Sequence, residues 1–465
     1  MHTIKGLHMA SFNRVVISRR GLLKSATALA AVTIVPRASL GGPGVQAAIA
    51  KPALAGVGVG GVGYGQLQAC DKAGFQIVAL CDVDDQYAKK ALDRWPQARR
   101  YRDFREMLHA EGPKIDAVYC GTPDHTHTVI TLAALRQKKH VCCVKPLTRT
   151  MQECRLVVKA ARQAGVATQV TAAANTNDAA CRTCELIWAG AIGAVREVHT
   201  WSNRPIWPQG MGRPAGEDPV PKTMDWDLWI GPAPMRPFKN VWPSEALELK
   251  QVQRSSTGVY HPFNFRGWWD FGTGALGDMG CHHLNTPFRA LKLKHPTVIA
   301  ASSTRCLKES APLAAIVAYE FPAREGMPPV RVVWYDGGLK PAYPAELEGK
   351  PLPGEGTLYV GDEGKMLGPT ILPAARAKKF DSVPKTLPRR SGTWGEWVEA
   401  CRGGEPAGCN FDWAGPLTEF VLLGNIAIRT GQRLLWDADS MKFTNHEPAN
   451  AYLREPYRSG WSLES

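Results

Sequence analysis

An alternation constrains this chain most. From Lys51 to Ala172, apolar runs alternate with amphipathic stretches of roughly ten to fifteen residues. "PALAGVGVGG", "FQIVALCDVD", "IDAVYCGTPD", "HVCCVKP" and "VATQVTAAA" read as strands. "QLQACDK" (Gln66 to Lys72, ending at Gly74), "VITLAALRQKK" and "MQECRLVVKAARQAG" read as the helices between them. Strands separated by single helices need right-handed crossovers and lie in one parallel sheet.

The first strand-to-helix turn carries Gly58-x-Gly60-x-x-Gly63. Glycine there permits a tight turn and a close backbone approach to a pyrophosphate, whose charge meets the positive end of the helix. The next strand ends in Asp82, at the distance where a carboxylate receives the ribose hydroxyls of a dinucleotide. Strand, glycine turn, helix, strand and acid in register predict a dinucleotide site formed by Gly58, Gly60, Gly63 and Asp82. Asp82 would repel a 2′-phosphate and no arginine follows it directly, so NAD is favoured over NADP. A second acid, Asp84, has no assigned role.

Ligands of such sheets sit at the carboxyl ends of the strands. "GTPDHTH" ends one strand and offers Thr122, Pro123, His125 and His127 as cofactor contacts. Capping and polar packing are the alternative for the two histidines. Lys145 ends another strand, directly before Pro146. Lysine is rarely buried without a partner, and this position predicts an ammonium group beside the nicotinamide end of the cofactor.

The formal net charge is +14, but the first fifty residues hold six basic residues and no acid, which leaves +8. The remaining basic residues form no stripe interleaved with aromatics, so nucleic acid is not an expected partner. "SRRGLLK" followed by an apolar run from Ala26 to Val35 reads as an export signal of the twin-arginine (Tat) type. That run is too short to span a bilayer. Expectations are therefore export through the Tat machinery to the periplasm, with the leader either cleaved or kept as an anchor. The twelve cysteines do not resemble a disulfide framework, because Cys81, Cys120, Cys142 and Cys143 lie within apolar runs. "CRTC" is a single close pair, read as one face of a helix. No metal site is assigned.

Beyond residue 172, "VREVHTWSN", "TVIAASSTRC", "AAIVAYEFPA", "VRVVWYDG" and "GTLYVGDEGKMLG" are short β-type runs between Gly/Pro turns, and "LTEFVLLGNIAIRTG" reads as a late buried helix. In "GDMGCHH", Asp278 and His282 stand four residues apart and share a helix face. A carboxylate that orients a histidine is a common base arrangement. Seven tryptophans between residues 200 and 270, Trp268 among them, offer aromatic faces for a sugar, and Arg204 and Arg266 offer hydrogen bonds.

The glycine turn, "CDVD", "GTPDHTH", "KPLT", "DWDLWIGPAP" and "FRGWWDFGTGALGDMGCHHLNTPF" together resemble the Gfo/Idh/MocA oxidoreductases, the glucose–fructose oxidoreductase and inositol dehydrogenase group. The resemblance implies a Rossmann domain followed by an α+β domain with an open, mainly antiparallel sheet that often mediates homo-oligomerisation. The expected division is a leader over 1–50, the NAD-binding domain over 51–172, the substrate domain over 173–440 and a tail over 441–465. It implies Lys145, Asp278 and His282 as catalytic residues, and Arg266, Trp268, His282 and His283 as substrate contacts. The implied function is oxidation of a CH–OH group of a sugar, polyol or glycoside by hydride transfer. Export to a compartment without free nicotinamide adds tight cofactor retention. Two alternatives are an NAD-dependent glycosidase or lyase with no net redox change, and a non-catalytic sugar-binding protein. The chain departs from the family at Val144, where an acid is usual, at Asn285, and in "VTAAANTND", where relatives carry a polar Gln-Gly-His-type segment.

Overall fold

The computed structural model describes residues 51–172, 175–243 and 258–463. The twin-arginine leader lies outside the described residues.

In the first half, strands β1 (Ala53–Val57), β2 (Gln76–Cys81), β3 (Arg99–Tyr101), β4 (Ala117–Cys120), β5 (His140–Cys143) and β6 (Thr168–Val170) alternate with helices. These are α1 (Val62–Ala73), α2 (Asp85–Arg94), α3 (Phe104–Glu111), α4 (His127–Arg136) and α5 (Met151–Ala164). The sheet order is β3-β2-β1-β4-β5-β6 and every pairing is parallel. This is a doubly wound sheet with its switch point between β1 and β4. β4 and β6 are buried along their whole length, as a sheet covered on both faces requires. Helix starts follow local chemistry: the Asp84 carboxylate caps α2, Asp103 caps α3, and Thr150 with Glu153 forms a capping box on α5.

The second half opens with α6 (Asp178–Trp188) and β7 (Val195–Trp201), then α7 (Trp226–Ile230), α8 (Gly274–His283) and α9 (Asn285–Ala290). Strands β8 (Val298–Ser303), β9 (Ala315–Phe321), β10 (Val330–Tyr335), β11 (Gly356–Gly361), β12 (Lys365–Leu367) and β13 (Thr370–Leu372) follow. The chain ends with α10 (Ala374–Ala377), α11 (Gly392–Cys401), α12 (Phe411–Thr430), β14 (Leu434–Asp437) and β15 (Lys442–Phe443). The nine strands run in the order β13-β12-β11-β7-β10-β9-β8-β14-β15, antiparallel except where β10 meets β7. β9 alternates buried residues with partly buried or exposed ones, the pattern of a sheet with one covered face.

The late apolar helix α12 is buried almost all round and packs on β8, α8 and α5, so it joins the two halves. Just before it the chain returns to the first sheet. Trp397 of α11 lies 4.5 Å from Phe75, and the Val170 N–H donates to the Cys409 carbonyl at 2.9 Å. All twelve cysteines are free thiols, and Cys181 and Cys184 are buried in α6. Among the described residues no helix is long and apolar enough to cross a membrane.

Candidate active site

One cleft of about 420 Å³ runs along the carboxyl ends of β1, β2, β4 and β5 and is roofed by the second half. Its floor begins at the glycine turn. Gly58 has φ +74°, and a Cβ there would stand 2.7 Å from the main chain of Gly121 and Thr122. A Cβ on Gly63 would meet the Gly58 carbonyl oxygen at 2.1 Å, so helix and strand touch there only because residue 63 is glycine. α1 has no side-chain cap and no acid in its first turn, which leaves its amino end available to an anion.

Asp82 lines the same cleft and accepts N–H bonds from Val59 (2.8 Å), Gly60 (3.1 Å) and Asp84 (3.1 Å). Burial outweighs these bonds and raises its carboxyl above the ordinary range. Asp82 therefore shapes the turn as well as lining the cleft. Asp84 has a separate task. Its carboxylate caps α2 with one oxygen, and its other oxygen stands 3.1 Å from Nε2 of His261, whose Nδ1 accepts from Trp229 Nε1 at 3.0 Å. Taking that bond at Nδ1 leaves the ring hydrogen on Nε2, aimed at Asp84. The pair ties the roof to the floor.

At the other end stands Lys145. Its Nζ donates to the Asp278 side chain at 2.5 Å and to the Asp278 carbonyl at 2.6 Å. Arg266 Nε donates to the same carboxylate oxygen at 2.9 Å. Burial acts to raise the Asp278 carboxyl, but Lys145 and then Arg266 outweigh it and hold it well below the usual range. His282 lies one helical turn after Asp278 and lines the cleft. Burial, reinforced by the Lys145 ammonium, pushes its imidazole down to about 3. It is neutral at ordinary pH and forms no hydrogen bond with a described residue. An ammonium donor and a neutral imidazole acceptor thus face one cavity, which suits proton removal from a hydroxyl with stabilisation of the resulting oxyanion.

Thr122, Pro123, Val144, Lys145, Arg266 and His282 line the cleft with the glycine turn, and four sequence expectations change. His125 and His127 do not line it. His125 is buried, with ring nitrogens 3.2 and 2.9 Å from the carbonyls of Phe271 and Trp229. Those of His127 lie 2.8 and 2.9 Å from the carbonyls of Pro146 and Thr122. Both rings are structural links. Trp268 is wholly buried and donates to the Val259 carbonyl at 2.8 Å, away from the cleft. His283 turns toward Glu355, 3.8 Å away, and Trp334. Asp278 does not bond His282; its Oδ1 is held by Lys145 and Arg266. Asn285 is buried and accepts from Trp413 Nε1 at 2.8 Å, a packing role.

The sequence reading did not single out His261, Asp124 or Trp461, all of which line the cleft. Trp461 comes from the tail, where Arg105 lies over its ring at 4.6 Å. Nothing local in "RSGWSLES" marks it. Asp124 accepts from Thr273 Oγ1 at 2.7 Å and binds the β4 end to the turn before α8.

Fold and site define a Rossmann nucleotide-binding protein whose second domain roofs the cleft. Two family models make the class specific: the NAD-binding Rossmann domain of the Gfo/Idh/MocA oxidoreductases matches residues 53–172, and the C-terminal alpha/beta domain of that family matches 207–299. The chain therefore matches this family in both domains. It is 28% identical over 116 residues to the inositol 2-dehydrogenase of Salmonella paratyphi B, covering 25% of this chain and 34% of that one. It is 52% identical over 54 residues to the 1,5-anhydro-D-fructose reductase of Ensifer adhaerens, covering 12% and 16%. The chain thus spans about a third or less of the length of these curated relatives. Among solved structures, the WlbA dehydrogenase of Bordetella pertussis, in complex with NADH and UDP-GlcNAcA, aligns with TM-score 0.56 at 15% identity over 84% of this chain and 100% of its own. An NAD-binding oxidoreductase from Klebsiella pneumoniae aligns with TM-score 0.53 at 18% identity over 83% and 99%. At these identities the structural likeness speaks for the fold.

Proposed function

We propose that this protein is an exported NAD-dependent oxidoreductase that acts on a hydroxyl group of a sugar, polyol or glycoside and holds its cofactor tightly. The observation that carries the reading is the pair of Lys145, pinned on Asp278, and the neutral His282, which has no hydrogen bond to a described residue, at one end of the Rossmann cleft. The glycine turn, the uncapped start of α1 and Asp82 suit a dinucleotide at the other end. The Asp82 carboxylate at the ribose position supports NAD over NADP.

When bound there, NAD supplies a hydride acceptor. His282 takes the hydroxyl proton, and Lys145 donates to the oxygen as its charge grows. Asp278 keeps the ammonium aimed. Export and retention rest on the twin-arginine leader, and the roof anchored by Asp84 and His261 is consistent with retention.

The test is to denature purified protein, identify the released nucleotide by mass spectrometry, and assay a panel of aldoses, polyols and glycosides. Released NAD with reduced nicotinamide formed on a sugar or polyol is the expected result. Protein that neither carries nor binds NAD would overturn the reading, and free sugar cut from a glycoside without net reduction would replace it with the redox-neutral one.

A further inference from the structure

We propose that Arg266 is a positioning residue of this site: it fixes the Asp278 carboxylate and, through it, the Lys145 ammonium, without serving as a substrate ligand. The inference rests on the reading of Lys145 and Asp278 given above. Lys145 and Arg266 both donate to Oδ1 of Asp278. A single bond from a flexible lysine would leave that carboxylate free to turn about its last torsion. The second bond comes from a guanidinium that is itself fixed. Its Nη1 donates to the Phe263 carbonyl at 3.0 Å, and its Cζ lies 4.2 Å from the Phe263 ring centroid and 4.6 Å from that of Phe265. Arginine is suited to this duty because a planar fork stacks on rings while donating in fixed directions.

The consequence falls on Lys145. Two of its three N–H directions point at Asp278, at the side chain and at the main chain. The direction of the third, the only one left for a substrate oxygen, follows from where Asp278 is held. Asp278 is the hinge of the arrangement and Arg266 its fixed post.

Two measurements test this on the full-length protein loaded with NAD. The first needs no substrate: trinitrobenzenesulfonate labels amines, and mass spectrometry reports the rate at Lys145. In Arg266→Ala this rate rises severalfold and returns toward the wild-type value when guanidinium ion fills the slot between Phe263 and Phe265. The second uses whichever panel compound is turned over fastest. Arg266→Ala then loses about 10²-fold in kcat, the scale of a small misplacement of a reacting group, while KM stays within a fewfold and guanidinium restores kcat saturably. Arg266→Lys, which keeps a cation in the slot, shows a smaller loss and serves if the alanine protein does not fold.

Unchanged labelling of Lys145 overturns the inference. So does a raised KM with wild-type kcat, which would make Arg266 a substrate ligand. If Lys145→Ala is inactive and Arg266→Ala fully active, only this inference falls. If both are fully active, the reading of the whole site falls with it.

Discussion

Two histidine pairs stand near the cleft, in motifs of similar prominence, and they behave oppositely. In "GTPDHTH" the rings of His125 and His127 each lie between two main-chain carbonyls, and neither lines the cavity. In "GDMGCHH" the ring of His282 faces the cavity without a bond to a described residue, while His283 turns away to Glu355. Burial pushes His125 and His282 down to about 3 alike, so titration does not tell them apart. Hydrogen-bond partners do. A neutral ring wedged between two carbonyls, one of which takes its single N–H, is a strut, and a neutral ring that faces the cavity beside an ammonium group with no bond to a described residue is available for proton transfer.

The comparison breaks most visibly at Lys145. Lys145→Ala should lower kcat by about 10³-fold, because a preorganised charge is lost and Asp278 keeps only Arg266 as partner. Turnover per folded molecule, with NAD binding measured in parallel, checks this. His282→Asn should cost about 10²-fold in kcat with an unchanged melting temperature. His125→Ala should do the reverse, with kcat within a fewfold of wild type and stability lower by about 2 kcal/mol, read from denaturant unfolding. Trp268→Phe, which removes one buried bond to Val259, should cost about 1 kcal/mol and leave KM unchanged.

The same histidines set a pH dependence. His125 titrates at 6.5 when unperturbed but near 3 in the fold. The unfolded chain therefore binds a proton that the native state refuses, and stability falls as pH drops from about 6.5 toward 3. His125 alone contributes a slope of about 1.4 kcal/mol per pH unit. His125→Asn should flatten that fall even though it lowers stability at neutral pH. An unchanged slope in unfolding measured across this range would show that His125 is protonated in the native state.

How legible the molecule was depends on the range of the interaction. The first sheet was readable because strand burial and the glycine turn are local patterns, and Gly63 is fixed by the Gly58 carbonyl within one strand–turn–helix unit. The second domain's strands were readable from its short β runs, and its mainly antiparallel sheet was implied by the family resemblance. The roles of individual side chains were not. His261 reaches Asp84 across 177 residues of sequence, and His125 finds its carbonyls 146 and 104 residues away. Trp268 and Trp269 look equivalent in sequence, yet the turn at Asn264–Gly267 sends Trp268 into a cluster with Tyr260 and Phe271 rather than toward the cleft. The return of α11 to the first sheet depends on Trp397 meeting Phe75, a contact no local pattern announces.

The most direct test is single-turnover reduction on protein loaded with NAD, comparing wild type, Lys145→Ala, His282→Asn and His125→Asn on the best compound of the carbohydrate panel. The account predicts reduced nicotinamide in wild type and His125→Asn, and almost none in the other two although they retain NAD. Reduction at the wild-type rate in Lys145→Ala, or its loss in His125→Asn alone, would contradict it.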